Sequence, residues 1–255
     1  MSRTSWGLLR CSVCGTGVTV GEPPGRQAYE SSPRPRLSGA ARPVLALFDR
    51  TRLGLLGPPR GSLLDVGAGR GRFVAAARRA GWASTGIEPS ARGVEAARTV
   101  YEVELARVSV AEASGTYEAV TMWHVLEHLE DPSTALARVA SLLAPGGLLL
   151  VGVPNLDSVQ ARIGRDRWFH LDLPRHRSHF TRVGIRCLLE RSGLAVETVA
   201  TSTSADSLPM SLRYRRGRRG RGGLRTTGLV LLGAPLTGAF GRLTDGDLLH
   251  AVGRR

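Results

Sequence analysis

The sequence predicts an α/β fold in which a mostly parallel sheet is covered by helices on both faces. Two observations predict this fold: apolar strand-like runs alternate with helical stretches over residues 62–154, and a glycine-rich turn follows the first run. Strands that alternate with helices form parallel sheets, because each helix returns the chain to the same edge of the sheet. A chain of 255 residues can bury one substantial core of this kind.

The regions before the alternation are less regular. Residues 1–40 are rich in Gly, Pro, Ser and Arg without a sustained period, which predicts an irregular N-terminal arm. Apolar residues at helical spacing predict a helix over residues 41–56, ended by Gly57 and two prolines. We therefore expect the folded domain to comprise residues 41–255.

The alternating region predicts most of the sheet and its helices. The expected strands cover residues 62–66, 83–88, 103–110, 117–125 and 148–154. The expected helices cover residues 73–80, 91–100 and 131–143, with Ser90 capping the second, and Asp131 or Ser133 capping the third. Beyond residue 154 we expect a helix near 181–192 and strands at 194–200 and 246–253, with a basic and apolar insertion at 205–243 between these two strands.

Charge and cysteine content constrain the class of protein. The net charge is +14, but residues 61–211 hold sixteen Arg and sixteen acidic residues, so the expected core is neutral. All 35 basic residues are Arg, which resembles a coding bias more than selection for phosphate contacts. Three scattered cysteines do not make a disulfide framework, and no segment resembles a secretory signal or a membrane span. These features predict a cytoplasmic protein that does not bind DNA.

The stretch "SLLDVGAGRGRF" at residues 62–73 predicts a nucleotide-type ligand. A strand that ends in a glycine turn and leads into a helix presents backbone N–H groups to a ligand. The spacing is G-x-G-x-G, which differs from the G-x-G-x-x-G of dinucleotide-binding proteins. Asp65 stands two residues before the first glycine, where its carboxylate suits an ammonium group better than a diphosphate.

Several segments together carry a family resemblance. They are "LLDVGAGRGRF", "GIEPS", "YEAVTMWHVLEHLEDP", "LLAPGGLLLVGVPN" and "RWFHLDLPRHRSHFT", which follow one another over about residues 60–200. The sequence resembles the class I S-adenosylmethionine-dependent methyltransferases. It is most similar to the branch that contains the ubiquinone O-methyltransferases and related small-molecule enzymes with a "VLEH" motif.

The resemblance implies a fold and a cofactor site. The fold is a Rossmann-like sheet of seven strands whose last strand is antiparallel. Asp65 and Gly67 would line the methionine end of S-adenosylmethionine, Gly69 would admit the ribose, and Glu88 would bind both ribose hydroxyls. Glu112 stands near the position expected for the adenine contact, and Trp123 and His124 near the cofactor and the acceptor. The full set of expected cofactor-binding residues is Asp65, Gly67, Ala68, Gly69, Gly71, Glu88, Pro89, Glu112, Trp123 and His124.

Five of the six histidines lie at or beyond the ends of the fourth and fifth expected strands, where ligands of open α/β sheets bind. In "HVLEH", His124, Glu127 and His128 share one face if the segment is helical. A general base, a divalent metal site and a purely structural cluster all fit this spacing, and we assign no metal. The expected catalytic residues are His124, His128 and His179, because histidine removes protons near neutral pH.

The second histidine group lies in "PRHRSHF". Arg175, His176 and His179 are expected on a loop over the acceptor and are assigned to the substrate, although their polar groups would equally hold the loop in place. His250 alternates with apolar neighbours in the last expected strand, so a structural role is expected for it.

The two ends of the chain carry further motifs. Cys11 and Cys14 in "CSVCG" have the spacing of a zinc knuckle, but no second pair follows, so we interpret them as a degenerate remnant. The Arg-rich tract "RYRRGRRGRGG" and the apolar stretch after it, residues 212–241, fit a contact with an anionic membrane surface or a solvated loop. Only one aromatic residue, Tyr214, interrupts the tract, which argues against RNA binding.

The sequence therefore predicts an S-adenosylmethionine-dependent methyltransferase that acts on a small molecule, with oxygen as the expected acceptor atom. Two other classes fit some of the same features. The Arg-rich tract would suit an enzyme that methylates RNA or protein, and the glycine turn would also suit a catalytically inactive, cofactor-binding partner subunit. The sequence determines neither the acceptor nor the oligomeric state.

Overall fold

The computed structural model describes residues 1–3, 7–23, 42–203, 211 and 245–255. The chain divides into two compact units, which we name the histidine unit and the glycine-turn unit. The histidine unit comprises Met1–Leu45, Val153–Ile185 and Ala200–His250. The glycine-turn unit comprises Ala46–Gly152, Arg186–Val199 and Ala251–Arg255.

The described residues form ten strands and six α-helices. The strands are β1 (Ser2–Arg3), β2 (Leu8–Arg10), β3 (Gly17–Thr19), β4 (Ser62–Val66), β5 (Ala83–Ile87), β6 (Tyr117–Trp123), β7 (Leu143–Pro154), β8 (Ser178–His179), β9 (Ala195–Ser202) and β10 (Leu248–Arg254). The helices are α1 (Arg42–Leu56), α2 (Arg72–Arg79), α3 (Ala91–Tyr101), α4 (Pro132–Leu142), α5 (Val159–Gly164) and α6 (Arg182–Arg191).

The larger sheet has six strands in the order β5-β4-β6-β7-β10-β9. β4 pairs in parallel with β5 on one side and with β6 on the other, and β6 pairs in parallel with β7. The last strand, β10, runs antiparallel to β7: the Arg255 N–H donates to the Gly147 carbonyl at 3.0 Å, and the Asn155 N–H donates to the Asp247 carbonyl at 2.8 Å. The predicted α/β class, with a mostly parallel sheet and an antiparallel last strand, is confirmed.

The predicted strand at residues 103–110 is wrong in extent. In the structure this segment makes one parallel bridge, between Ile87 and Ala106. Val103 and Leu105 are buried, whereas residues 104, 106 and 107 are exposed and residues 108–110 are only half-buried. Two apolar anchors are too few to hold a longer edge strand against the sheet.

The predicted helices form with the expected ends. The Ser90 side chain accepts a hydrogen bond from the Gly93 N–H at 3.3 Å and so caps α3. Asp131, rather than Ser133, caps α4 by accepting from the Ser133 and Thr134 N–H groups, both at 3.0 Å. These caps satisfy backbone N–H groups that have no partner within the helix.

The histidine unit contains a four-stranded sheet in the order β1-β2-β3-β8. The described part of residues 1–40 therefore contains three β-strands, which corrects the prediction of an irregular arm. Its strands are at most three residues long, so no alternation shows in the sequence. They are held by packing: Leu8 is buried in one cluster with Leu156, Trp168 and Leu171.

No helix among the described residues is both long and apolar enough to cross a membrane. The Arg-rich tract and the apolar stretch at 212–241 lie outside the described residues, as does nearly all of the insertion at 205–243.

Candidate functional site

The glycine turn follows β4 and has the backbone conformation that requires glycine. Gly67, Gly69 and Gly71 have φ angles of 67°, 60° and 73°, which disfavour residues with a Cβ. A Cβ on Gly67 would also lie 2.5 Å from Cγ2 of Val125. The Ala68 N–H donates to the Ile87 carbonyl at 2.9 Å, which ties the turn to the end of β5.

Glu88 lies directly over this turn. Its Oε2 accepts a hydrogen bond from the Gly69 N–H at 2.8 Å, and its Oε1 accepts one from the Ser90 N–H at 3.0 Å. Both oxygens keep a further lone pair for a ligand. Pro89, beside it, is exposed. Sequence reasoning did not identify Gly93, where a Cβ would lie 2.7 Å from Cγ of Glu88 and would displace the carboxylate.

Asp65, the next-to-last residue of β4, is a buried carboxylate with 3% of its surface exposed. The Thr121 hydroxyl donates to its Oδ1 at 2.6 Å from the neighbouring strand β6. Burial raises the pKa of Asp65 to about 7, although the Thr121 hydrogen bond and the charge of Arg52 act in the opposite direction. A ligand cation beside this carboxylate would stabilise its ionised form.

Helix α1 supplies two charged residues that sequence reasoning missed. The Arg52 guanidinium carbon lies 4.3 Å from the centre of the Trp123 ring, and burial and the nearby charge of Arg72 lower its pKa to about 10. Asp49 accepts from Arg72 at 2.5 Å. Burial raises the pKa of Asp49, an effect that Arg72 and Arg52 oppose. The carboxylates and guanidinium groups thus form one charged cluster beside β4.

The end of β6 and the segment after it contain three of the predicted residues. Trp123 packs edge-on against Phe73, with ring centres 5.6 Å apart. His124 adopts a left-handed backbone conformation with φ of 55°, which is uncommon for a residue other than glycine and is found often at functional sites. Its Nδ1 lies 3.1 Å from Oε1 of the buried Glu127. These two side chains are therefore adjacent, which agrees with the shared face that their spacing predicts, and the half-buried His128 ends the 3₁₀ turn Leu126–His128.

Glu112 is exposed on the loop after the Ala106 bridge. Its Oε2 accepts from the Ser109 N–H at 2.9 Å and from the Ser109 hydroxyl at 2.6 Å. These bonds shape the loop itself, and the adenine contact assigned to Glu112 stays a prediction.

Within the histidine unit, His176 and His179 lie close together. Their ring centres are 6.3 Å apart, and both side chains are buried. His179 Nε2 lies 2.9 Å from Oγ1 of Thr19 on β3, and the Thr19 hydroxyl donates to the His176 carbonyl at 2.5 Å. His176 Nδ1 lies 2.8 Å from the His170 carbonyl. Thr19 was not identified from the sequence, because it lies about 160 residues from His179 along the chain.

Other polar residues of this unit contact one another through hydrogen bonds. Arg175, assigned to the substrate, donates to Asp172 at 2.6 Å within its own turn. His170 Nε2 lies 3.1 Å from Oδ2 of the fully buried Asp247. His250 Nε2 lies 2.6 Å from the Ser202 hydroxyl on β9, a contact of the structural kind expected for this histidine.

The glycine-turn unit therefore presents two buried carboxylates, which can accept from hydroxyls or pair with a cation, and a guanidinium, which can pair with an anion. These groups suit an amino-acid-bearing nucleoside better than a dinucleotide, because a diphosphate would meet the carboxylates of Asp65 and Glu88.

Comparison with known proteins identifies the family of the chain. Residues 40–199 match a family profile described as a methyltransferase domain. A ubiquinone biosynthesis O-methyltransferase from Caulobacter sp. strain K31 is 33% identical over 129 residues, which cover 47% of this chain and 51% of that protein. Its counterpart from Xanthomonas euvesicatoria is 34% identical over 125 residues, 46% of this chain and 51% of that one. The chain thus matches about half the length of these curated relatives.

Solved structures share the fold at low identity. A methyltransferase from Archaeoglobus fulgidus superimposes with a TM-score of 0.59 at 16% identity, over 84% of this chain and 94% of that one. A methyltransferase from Thermotoga maritima superimposes with a TM-score of 0.56 at 20% identity, over 82% and 88% of the two chains. The family resemblance predicted from the sequence is confirmed, and the chain belongs to the methyltransferase domain family.

Proposed function

We propose that this protein is an S-adenosylmethionine-dependent methyltransferase that transfers a methyl group to a hydroxyl oxygen of a small molecule. The observation that carries the proposal is the placement of Asp65 and Glu88 at the carboxyl ends of the neighbouring parallel strands β4 and β5, beside the glycine turn. Ligands of open parallel sheets bind at this edge.

The charged groups of the site match the parts of the cofactor. The remaining lone pairs of the Glu88 carboxylate would accept from the two ribose hydroxyls. Asp65 would accept from the methionine ammonium, whose positive charge would lower the pKa of Asp65 from about 7. Arg52, whose positive charge lowers the pKa of Asp65 and whose guanidinium lies against Trp123, would pair with the methionine carboxylate.

When bound, S-adenosylmethionine supplies a methyl group on a positively charged sulfur. The residues of the chain have to align the acceptor oxygen with that methyl group, exclude water and remove the proton of the hydroxyl. We assign proton removal to a histidine among His124, His128 and His179, because the imidazole pKa suits this role near neutral pH.

Hydrogen bonding indicates which tautomer His179 adopts. The Thr19 hydroxyl proton is directed to the His176 carbonyl, so Thr19 accepts from His179 and places the ring proton on Nε2. The basic lone pair of His179 is then on Nδ1. In the same way, donation from Nδ1 of His176 to the His170 carbonyl leaves the basic lone pair of His176 on Nε2. We assign His176 and Arg175 to the acceptor, with Asp172 orienting the Arg175 guanidinium.

The relatives named as ubiquinone biosynthesis O-methyltransferases support oxygen as the acceptor atom and a small molecule as the substrate. A cytoplasmic location, with contact to a membrane surface through residues 212–241, belongs to the same proposal, because such a contact would suit a lipid-like acceptor. Vesicle binding by the full chain, compared with a variant that lacks residues 212–241, tests this part; equal binding would refute it.

The first test is calorimetric titration of the purified chain with S-adenosylhomocysteine, with NADH as the control ligand. We expect micromolar binding of S-adenosylhomocysteine, its loss in Asp65→Ala and in Glu88→Ala, and no binding of NADH. Binding that survives both substitutions would refute the site. Release of S-adenosylhomocysteine from S-adenosylmethionine then serves as the readout for a screen of phenols, quinols and sugars.

The same screen separates the two other classes. An enzyme that methylates RNA would lose activity when RNA is added as a competitor at moderate salt concentration. A catalytically inactive partner subunit would bind S-adenosylhomocysteine and release none with any acceptor class.

A further inference from the structure

Cys11 and Cys14 stand at the two ends of one tight turn between β2 and β3. The Gly15 N–H donates to the Cys11 carbonyl at 3.0 Å, and the Cys11 N–H donates to the Thr16 carbonyl at 2.9 Å. Gly15 has a φ of 72°, which lets the chain fold back. The Cys14 side chain is a hydrogen-bond partner of the Cys11 sulfur, so the two sulfur atoms are neighbours.

The turn is open to solvent. Val13, between the two cysteines, is 89% exposed, and both thiols are partly accessible. Hydrogen bonds from the Cys14 and Val13 N–H groups, together with the Cys14 thiol, lower the pKa of Cys11. Cys11 is therefore the sulfur that more readily becomes a thiolate, and small reagents can reach it.

The donor set is a pair rather than a closed metal site. The third cysteine and all six histidines of the chain lie within the described residues, and none places a ligand atom with the Cys11 and Cys14 sulfurs to form a group of three. A structural zinc site needs four ligands. Two neighbouring sulfurs, by contrast, are sufficient for a disulfide.

We propose that Cys11 and Cys14 form a redox-active dithiol that closes to an intramolecular disulfide by exchange with a low-molecular-weight disulfide such as glutathione disulfide. This modification site is independent of the methyltransferase proposal. Cysteine pairs of this kind in a reducing compartment are usually transient or redox-sensing.

The exchange takes place in two displacements. The Cys11 thiolate attacks one sulfur of the external disulfide, whose S–S bond breaks and releases one thiolate. Cys14 then loses its proton to solvent, and its thiolate attacks Sγ of Cys11, which expels the second external thiolate. The two protein thiols are oxidised by two electrons, the external disulfide is reduced to two thiols, and these take up the two protons.

The turn is joined to the strand that carries His179. β3 pairs antiparallel with β8, with Gly17 opposite His179. The Thr181 hydroxyl donates to the Cys14 carbonyl at 2.5 Å and accepts from the Gly184 N–H at 2.9 Å, at the start of α6. Closure of the disulfide therefore acts on a turn that is hydrogen-bonded to the segment after His179.

The test uses the full chain in glutathione buffers of graded oxidised-to-reduced ratio, followed by maleimide labelling of the remaining thiols and mass analysis. Cleavage after arginine places Cys11 and Cys14 alone on the peptide 11–26, and Cys187 on a separate peptide. We expect the peptide 11–26 to lose both labels together and to become two hydrogens lighter than its reduced form, while Cys187 keeps its label.

Cysteine variants distinguish the two displacements of the exchange. In Cys14→Ser, Cys11 should accumulate one glutathione per chain, because the second displacement is removed. Cys187→Ser is the matched control and should oxidise like the unmodified chain. Four results would overturn the proposal: full labelling of the peptide 11–26 in a buffer that oxidises dithiothreitol, separate glutathione adducts on the two cysteines, disulfide-linked dimers, or bound zinc that must be chelated before labelling.

Discussion

The glycine turn and the histidine segment of residues 168–181 hold their functional side chains by different means. At the turn, Glu88 is held by backbone N–H groups of Gly69 and Ser90, which the neighbouring strand ends supply. In the histidine segment, His179 is held by Thr19, a side chain from another part of the chain. The first arrangement depends on local chain geometry, whereas the second depends on packing between distant segments. Substitutions should therefore affect the two regions differently.

The largest effect is expected from His179→Asn. If His179 removes the acceptor proton, kcat should fall by about 100-fold to 10,000-fold, while S-adenosylhomocysteine binding stays unchanged. Release of S-adenosylhomocysteine with an acceptor from the screen gives kcat, and calorimetry gives the affinity. His250→Asn, a histidine paired with Ser202, is the control. An unchanged kcat would move the assignment to His124 or His128.

Glu88→Gln should weaken S-adenosylhomocysteine binding by about 100-fold, because two charge-assisted hydrogen bonds to the ribose each contribute roughly 1.5 kcal/mol. Calorimetry measures the change, and thermal unfolding shows whether the fold is retained. Glu95→Gln is the matched control, because Glu95 is exposed on α3 and pairs with Arg98. Equal binding by the Glu88 and Glu95 variants would place the ribose elsewhere.

The affinity for S-adenosylhomocysteine should depend on pH through Asp65. As the pH falls below about 7, the dissociation constant should rise by about tenfold for each pH unit of decrease, because only the ionised carboxylate pairs with the ammonium. Titrations between pH 5 and pH 8 measure this dependence, and Asp65→Asn should abolish it. A pH-independent affinity in the unmodified chain would show that Asp65 does not contact the ammonium.

Asp65 should also make the stability of the folded chain depend on pH, in the direction opposite to that of the affinity. Its pKa in the folded chain, about 7, lies above the ordinary value of 3.8, so the folded state binds the proton more tightly. The free energy of unfolding should therefore fall as the pH rises from about 4 to about 7, where the buried group becomes charged. Thermal melts of the unmodified chain and Asp65→Asn over this range isolate the contribution.

Arg52→Met should raise the dissociation constant of S-adenosylhomocysteine by roughly tenfold, because it removes the charged partner proposed for the methionine carboxylate. Arg50→Met is the matched control, because Arg50 lies on the same helix and is exposed. If both variants bind equally well, the cation–π contact between Arg52 and Trp123 serves packing alone.

The smallest effect is expected from Thr19→Val, which should lower kcat by about fivefold, because it removes the acceptor that fixes the His179 tautomer. The pH profile of kcat should shift as well, a change that loss of packing alone would not produce. Thr19→Ser keeps the hydroxyl and should restore both kcat and the profile. Failure of the serine variant to restore them would assign Thr19 to packing.

The sequence predicted the parts of the protein that depend on short-range pattern. The G-x-G-x-G turn, the cap at Ser90 and the position of Glu88 follow from spacing within about 25 residues, and the structure shows them together. The same reasoning failed at residues 103–110. Apolar residues that alternate with charged ones there resemble an edge strand, but the two buried apolar side chains support only a single bridge.

The sequence by itself therefore determined the α/β class, the family and the identity of the turn, because repeating local patterns specify strands, helices and glycine conformations. The tertiary structure alone decided that Arg52 and Asp49 join the cluster around Asp65 and that Thr19 orients His179. These contacts join segments whose separation along the chain carries no periodic signal. They form because burial of apolar neighbours brings the segments together, and the charged and polar groups must then satisfy one another.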